Sequence, residues 1–202
     1  LIHQQELAPV TIIAHSLGGS VALRYAGVYP ENVKKMVVIE GTGGPPAELE
    51  QRPVHERMRE WIDHTRKASG RQPKRYDTLE DAYTRMHEAN SHLHEDQARH
   101  LTIHGSNQNE DGSYSWKFDN YTHVMNPFGV NREQSRELWS RIDKPVLLVS
   151  GSESWFAQES REDPLPYFQN AQQVQINDAG HWLHHDQLDE FLMITREFLA
   201  SA

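Results

Sequence analysis

The stretch from Thr11 to Gly19, with the sequence Thr-Ile-Ile-Ala-His-Ser-Leu-Gly-Gly, constrains the fold of this chain more than any other segment. Its apolar run predicts a buried strand, and the apolar spacing that follows predicts a helix that begins at once. Ser16 lies on the turn between them, in the strand–turn–helix arrangement called a nucleophile elbow. Because such a turn is strained, we expect the residues two positions to either side, Ala14 and Gly18, to lack bulk for steric reasons.

A second motif lies near the carboxyl end of the chain. Residues 173–176 are predicted to form a strand, which is followed by the loop Asn-Asp-Ala-Gly-His-Trp and an amphipathic helix. A serine hydroxyl is a poor nucleophile until a base accepts its proton, so Ser16 needs a histidine partner. The chain contains 13 histidines. His181 is the candidate base because it follows Gly180 at the carboxyl end of a predicted strand.

Four segments are predicted to form strands, at residues 10–14, 36–40, 146–150 and 173–176. The first three are nearly continuous apolar runs, which are typical of parallel strands covered by helices on both faces. A polar insertion at 45–144 divides the core into two parts, residues 1–44 and 145–202. The breaker Gly43-Gly44-Pro45-Pro46 marks the start of the insertion. The insertion is predicted to be mostly helical, with a short strand at 113–118 and helices at 47–68, 78–90, 95–103 and 132–141.

On these motifs the chain resembles the α/β-hydrolase family over essentially its whole length. The resemblance implies an α/β fold, a mostly parallel sheet flanked by helices, with the insertion as a cap that contributes to substrate choice. It also implies a Ser-His-acid triad that hydrolyses a carboxylic ester or related acyl compound through an acyl-enzyme. Family members carry four strands before the elbow and a loop with a second oxyanion donor. We therefore expect a carboxyl-terminal portion that lacks the amino-terminal strands and is impaired on its own.

The resemblance further implies that the backbone N–H of Leu17 is one oxyanion donor. Two glutamates, Glu40 and Glu153, are candidates for the acid of this triad. The family most often places it in a Gly-x-x-Asp pattern after the third of these strands, where this chain has Ser154, with Glu153 one residue earlier. Glu40, at the tip of the second strand, stands where some relatives carry the carboxylate, and we favour it for that reason. Candidates for lining a substrate pocket are His15, Trp155, Phe156 and Trp182.

Composition excludes several classes of function. A net charge of −9 disfavours nucleic acid or anionic membranes as partners, and no apolar run is long enough to span a bilayer. The absence of cysteine excludes disulfides and thiolate metal sites and is compatible with the cytoplasm, where we expect the protein. Because the chain begins at Leu1, the sequence does not decide whether the protein has a signal peptide. We expect a small-molecule substrate and no cofactor or metal, while the oligomeric state stays open.

Two alternatives remain beside the esterase-like hydrolase. Ser16, rather than an aspartate, at the elbow argues against epoxide hydrolase and haloalkane dehalogenase chemistry. Carbon–carbon bond hydrolases use the same triad, so the resemblance leaves the bond that is cleaved undecided. A non-catalytic ligand-binding member of the family, or an inactive fragment, is the alternative from another class.

Overall fold

The structure is a computed structural model that describes residues 1–43, 52–124, 126–155 and 163–201. It divides into two compact units, one made of Leu1–Pro45 and Val130–Ala202 and the other of Pro46–Gly129. In chain order the elements are β1 (Val10–His15), α1 (Leu17–Val28), β2 (Val33–Ile39), α2 (Val54–Ser69), β3 (Arg75–Tyr76), α3 (Leu79–Ala89), α4 (Glu95–Gly105), β4 (Ser106–Gln108), β5 (Tyr114–Trp116), α5 (Arg132–Ser140), β6 (Val146–Gly151), β7 (Ala171–Ile176), α6 (Leu183–Asp186) and α7 (Leu188–Ala200).

The first unit contains a four-stranded sheet in the order β1-β2-β6-β7, and every neighbouring pair is parallel. All four predicted strands are therefore confirmed, as is the α/β fold class. The register pairs His15 with Ile39, Ile39 with Val149, and Gly151 with Ile176. Because the strands run in the same direction, the segments that follow them emerge at one edge of the sheet, and that edge carries the candidate site.

Helices cover both faces of this sheet, as continuous apolar strands require. Alternate residues along a strand point to opposite faces, so β2 contributes Met36 and Val38 to one core and Val37 and Ile39 to the other. The first core includes Leu23 of α1 and Trp139 of α5, both buried. The second core is completed by residues of α6 and α7, which are Leu183, Phe191 and Phe198.

In the described part of the second unit, three helices, α2 to α4, accompany a small antiparallel sheet in the order β3-β5-β4. Strand β5 lies within the strand predicted at 113–118. Helix α2 begins at Val54, directly after Pro53, whereas the helix predicted from residue 47 begins outside the described residues. None of the helices in the described part of the chain is long and apolar enough to cross a bilayer.

The second unit ends at Gly129, whereas the insertion was predicted to extend to residue 144. The difference arises because α5 packs on α1 of the first unit. Trp139 is buried in the core that α1 covers, and the Arg141 Nε donates to the carbonyl of Gly27 at 2.7 Å. The composition of α5 is as polar as that of the insertion, but its apolar face packs against α1.

Candidate active site

Ser16 occupies the turn between β1 and α1 in a conformation that few residues adopt. Its φ is 54° and its ψ is −122°, and its N–H donates to the carbonyl of Ile39 at 2.8 Å. A positive φ costs a non-glycine residue about 1–2 kcal/mol. Helix α1 begins at the next residue, so the N–H of Leu17 belongs to the first helical turn, where backbone donors have no intrahelical acceptor.

The steric expectation for the elbow is wrong at Gly18. A Cβ built on Gly18 would meet no atom of the described residues within 4 Å. The close approach lies one residue later, because a Cβ on Gly19 would lie 2.8 Å from the Cα of Gly41. Because Gly19 and Gly41 lack side chains, the start of α1 packs closely against the segment that follows β2. The Ser20 hydroxyl also donates to the Gly41 carbonyl at 2.9 Å.

The structure brings together Ser16, His181 and Glu40, three residues from three different strand ends. The Ser16 hydroxyl lies 2.9 Å from His181 Nε2, and His181 Nδ1 lies 3.4 Å from Glu40 Oε2. A carboxylate only accepts hydrogen bonds, so Nδ1 carries the proton that faces Glu40, and Nε2 of the neutral ring accepts from the serine. The Nδ1–Oε2 distance exceeds the usual hydrogen-bond range, so this contact is the weaker of the two.

Glu40 is 3% exposed, and both of its carboxylate oxygens have donors. The backbone N–H of Gly151 donates to Oε1 at 2.7 Å, and the hydroxyl of Ser154, which is 0% exposed, donates to Oε2 at 2.7 Å. Glu153 is exposed, and its backbone N–H donates to the Ala179 carbonyl at 2.9 Å. The structure therefore places Glu40, rather than Glu153, beside the imidazole.

Strained backbone collects at the same edge of the sheet. Among the described residues, positive φ occurs at four non-glycine positions, and Ser16, Glu40 and Asp178 are three of them. They follow β1, β2 and β7, at the strand ends that converge on His181. Such conformations persist where the surrounding structure over-determines them, and they cluster at active sites.

The remaining candidates lie near the imidazole with different exposures. Trp155 is 55% exposed with its ring 5.0 Å from the His181 ring, and Leu17 is 65% exposed. The ring of Trp182 lies 6.1 Å from that of His15. Phe156 lies outside the described residues, and the role of these side chains in a substrate pocket stays a prediction. Across the described ranges, no three His, Asp or Glu side chains are grouped so that they could hold a metal ion.

Sequence reasoning missed the contacts that hold the loop carrying His181. Gly180 donates its N–H to Asp186 Oδ2 at 2.9 Å, and the N–H of Asp178 donates to Ser152 Oγ at 3.0 Å. His15 Nε2 lies 2.7 Å from the carbonyl oxygen of His181 itself. The polar residues just after His181 were a signal for the Asp186 contact only, because Ser152 and His15 lie far away along the chain.

Behind the site lies His184, a histidine that stays neutral when folded. Burial, with His15, His185 and His181 nearby, lowers its pKa to about 4, and within the described structure its Nδ1 is buried without a hydrogen-bond partner. Between about pH 6.5 and pH 4 the unfolded chain binds a proton that the folded protein excludes. We therefore expect folding stability to fall as the pH drops through this window. The contribution of His184 is on the order of 1–2 kcal/mol after allowance for solvent screening.

Urea unfolding at pH 7.5, 6 and 5 measures this effect. The variant His184→Phe, which cannot titrate, should lose less stability than wild type over the same range. The exposed His3, changed to asparagine, is the matched control and should retain the wild-type slope. Equal slopes for His184→Phe and wild type would contradict the assignment.

Comparison with known proteins identifies the family of the chain. A profile of the alpha/beta hydrolase fold matches residues 6–188. The chain is 27% identical over 148 residues to a serine hydrolase-like protein of Danio rerio, covering 72% of this chain. It is 24% identical over 208 residues to esterase YbfF of Escherichia coli K12, covering 96% of this chain and 69% of that protein. The chain belongs to the α/β hydrolase fold family.

Solved structures agree on the fold. A hypothetical protein from Pseudomonas aeruginosa PAO1 superposes with a TM-score of 0.83 at 20% identity, covering 98% of this chain and 69% of that one. The present chain spans 45% of the length of the Danio rerio relative. The relatives therefore contain residues for which this chain has no counterpart in the alignment.

Proposed function

We propose that the protein is a serine hydrolase that cleaves a carboxylic ester or a related acyl compound through an acyl-enzyme. The observation that carries the proposal is the unbroken line of contacts from Ser16 Oγ to His181 Nε2 and from His181 Nδ1 to Glu40 Oε2. Nucleophile, base and acid in this arrangement are what acyl transfer requires. The names esterase and serine hydrolase-like protein, carried by relatives, support the same class.

In the proposed reaction, Ser16 Oγ attacks the carbonyl carbon of the substrate while its proton passes to His181 Nε2. Glu40 stabilises the imidazolium that results and holds the ring in the required tautomer. The tetrahedral intermediate collapses as His181 gives the proton to the departing alcohol, which leaves an acyl group on Ser16. Water, deprotonated by His181, then attacks the acyl carbon, and Ser16 recovers its proton when the acid is released.

The developing oxyanion needs donors that are already aligned. The N–H of Leu17, at the amino end of α1, is the proposed donor within this chain, and the helix end adds a partial positive charge. Each such donor is worth about 3–4 kcal/mol to the transition state. The second compact unit, inserted between β2 and α5, is proposed to contribute to substrate choice.

A fluorophosphonate probe tests the proposal, because it reacts only with an activated serine. We expect the purified full-length protein to be labelled, with the adduct on the peptide that contains Ser16. Ser16→Ala should abolish labelling, whereas Ser69→Ala, at an exposed serine, should leave it unchanged. Peptide mass spectrometry and circular dichroism provide the readout and the check on folding.

The same experiment separates the alternatives. Absence of labelling in a folded wild-type protein would overturn the hydrolase and favour a non-catalytic ligand-binding member of the family. If Ser16 is labelled, a panel of acyl esters and β-diketones then distinguishes ester cleavage from carbon–carbon bond cleavage.

A further inference from the structure

His15 precedes the nucleophile directly, yet its ring faces the base. Its Nε2 lies 2.7 Å from the backbone carbonyl oxygen of His181, a residue 166 positions away in the sequence. Because a carbonyl oxygen only accepts, His15 Nε2 carries a proton and donates it. The ring centroids of His15 and His181 are 4.8 Å apart. His15, the last residue of the strand before Ser16, therefore binds the main chain of His181, the residue that must accept the serine proton.

Other contacts of the histidine loop come from different parts of the fold. Asp186 of α6 holds the N–H of Gly180, while Ser152 and the backbone of Glu153, both beyond β6, hold Asp178 and Ala179. Those contacts fix the loop relative to β6 and α6. The contact from His15 instead fixes it relative to β1 and the elbow, so it bears on the Ser16–His181 distance directly.

The surroundings of His15 favour its neutral form. Burial lowers the pKa of its imidazole, an effect that the hydrogen bond to the His181 carbonyl only partly offsets. The titratable groups that face it are His181 on its loop, His184 and His185 on α6, and Glu40 at the end of β2. A neutral His15 matters because a second positive charge beside His181 would disfavour the imidazolium that forms during acyl transfer.

We propose that His15 is a positioning residue whose Nε2–H holds the His181 backbone so that the base ring stays between Ser16 and Glu40. This inference rests on the proposed hydrolase function. In this role His15 acts through the placement of His181. Its role is thus distinct from the pocket-lining role expected from its sequence position.

Two substitutions separate the donor from the bulk of the side chain. Gln at position 15 can place an amide N–H where the His Nε2–H lies, whereas Phe keeps a ring but has no donor. We expect His15→Phe to lower kcat by about 10- to 100-fold with KM within about two-fold, since a misplaced base affects the transition state more than binding. His15→Gln should recover kcat to within about five-fold of wild type.

The pH profile of kcat/KM gives a readout that simple packing would not move. In His15→Phe the acid limb should shift to lower pH by about half a unit, because the base drifts from the Glu40 carboxylate, and in His15→Gln it should stay in place. Amide exchange over residues 178–182 should be faster in His15→Phe than in the other two proteins. Melting temperatures establish that all three are folded.

Equal kcat values and equal acid limbs in wild type and His15→Phe would overturn the inference. So would equal impairment of both variants with an unmoved acid limb, which would reduce His15 to a packing residue. If the wild-type protein fails to react with the fluorophosphonate probe, the proposed function is lost. The exchange rates of residues 178–182 still decide whether His15 tethers the loop.

Discussion

Replacing Glu40 with glutamine should lower kcat by about four orders of magnitude, with little change in KM. The amide no longer stabilises the imidazolium, and it can present an N–H to His181 Nδ1, which selects the wrong tautomer. The NH2 group of the amide would also face a hydrogen-bond donor, since the Gly151 N–H and the Ser154 O–H each donate to one oxygen of the carboxylate. Steady-state kinetics on an activated ester such as a p-nitrophenyl acyl ester provides the measurement.

Glu153→Gln is the matched control for this experiment, because it makes the same chemical change in an exposed side chain. Its kcat should remain within about two-fold of the wild-type value, as is usual for a surface substitution. The reverse ranking of the two variants would transfer the role of acid to Glu153. Similar small losses in both would remove Glu40 from the catalytic machinery.

Gly151→Ala should produce the largest loss of stability, at least about 2–3 kcal/mol, together with loss of turnover. A Cβ on Gly151 would lie 2.5 Å from the carbonyl oxygen of Gly180 and closer still to that of Ala179. Both obstacles are backbone atoms, so neither can rotate away. The loop that carries His181 must shift, and the N–H that holds Glu40 Oε1 shifts with it.

Gly27→Ala distinguishes loss of stability from loss of the site. A Cβ there would lie 2.6 Å from the Leu138 carbonyl oxygen, at the far end of α1, roughly 15 Å along the helix from Ser16. We expect similar destabilisation in urea but a nearly normal kcat for the folded fraction. Gly18→Ala, with open space around it, should cost little stability. If Gly151→Ala retains kcat as well as Gly27→Ala does, the link between Gly151 and the loop is wrong.

Local patterns were sufficient for much of the fold. Three of the four strands are nearly continuous apolar runs, and both Ser16 and His181 stand close behind a strand end. The acid of the proposed triad was harder to assign, because β2 and β6 are parallel neighbours and Glu40 and Glu153 both follow their carboxyl ends. The choice depends on backbone geometry, since Glu40 has a φ of 51°, which no sequence pattern reports. Ser154 was the available signal, a buried hydroxyl that needs an acceptor.

The error at Gly18 has a similar origin. A motif describes neighbours along the chain, whereas the tight contact at the elbow joins Gly19 to Gly41 across two elements. The second unit ends at Gly129, whereas the insertion was predicted to reach residue 144, because α5 packs against α1 despite its polar surface. Sequence periodicity identified each element, but pairwise packing decided which elements belong together.

The position of Glu40, directly after the interior strand β2, has a consequence for how the proposed site can tolerate change. Strand β2 is hydrogen-bonded on both sides, so the carboxylate is anchored by the most constrained part of the sheet. In the proposed triad the carboxylate therefore comes from the end of β2, and the end of β6 with the residues that follow it supplies the Gly151 and Ser154 donors that hold it. Substitutions beyond Ser154 should then change specificity without removing the proposed acid.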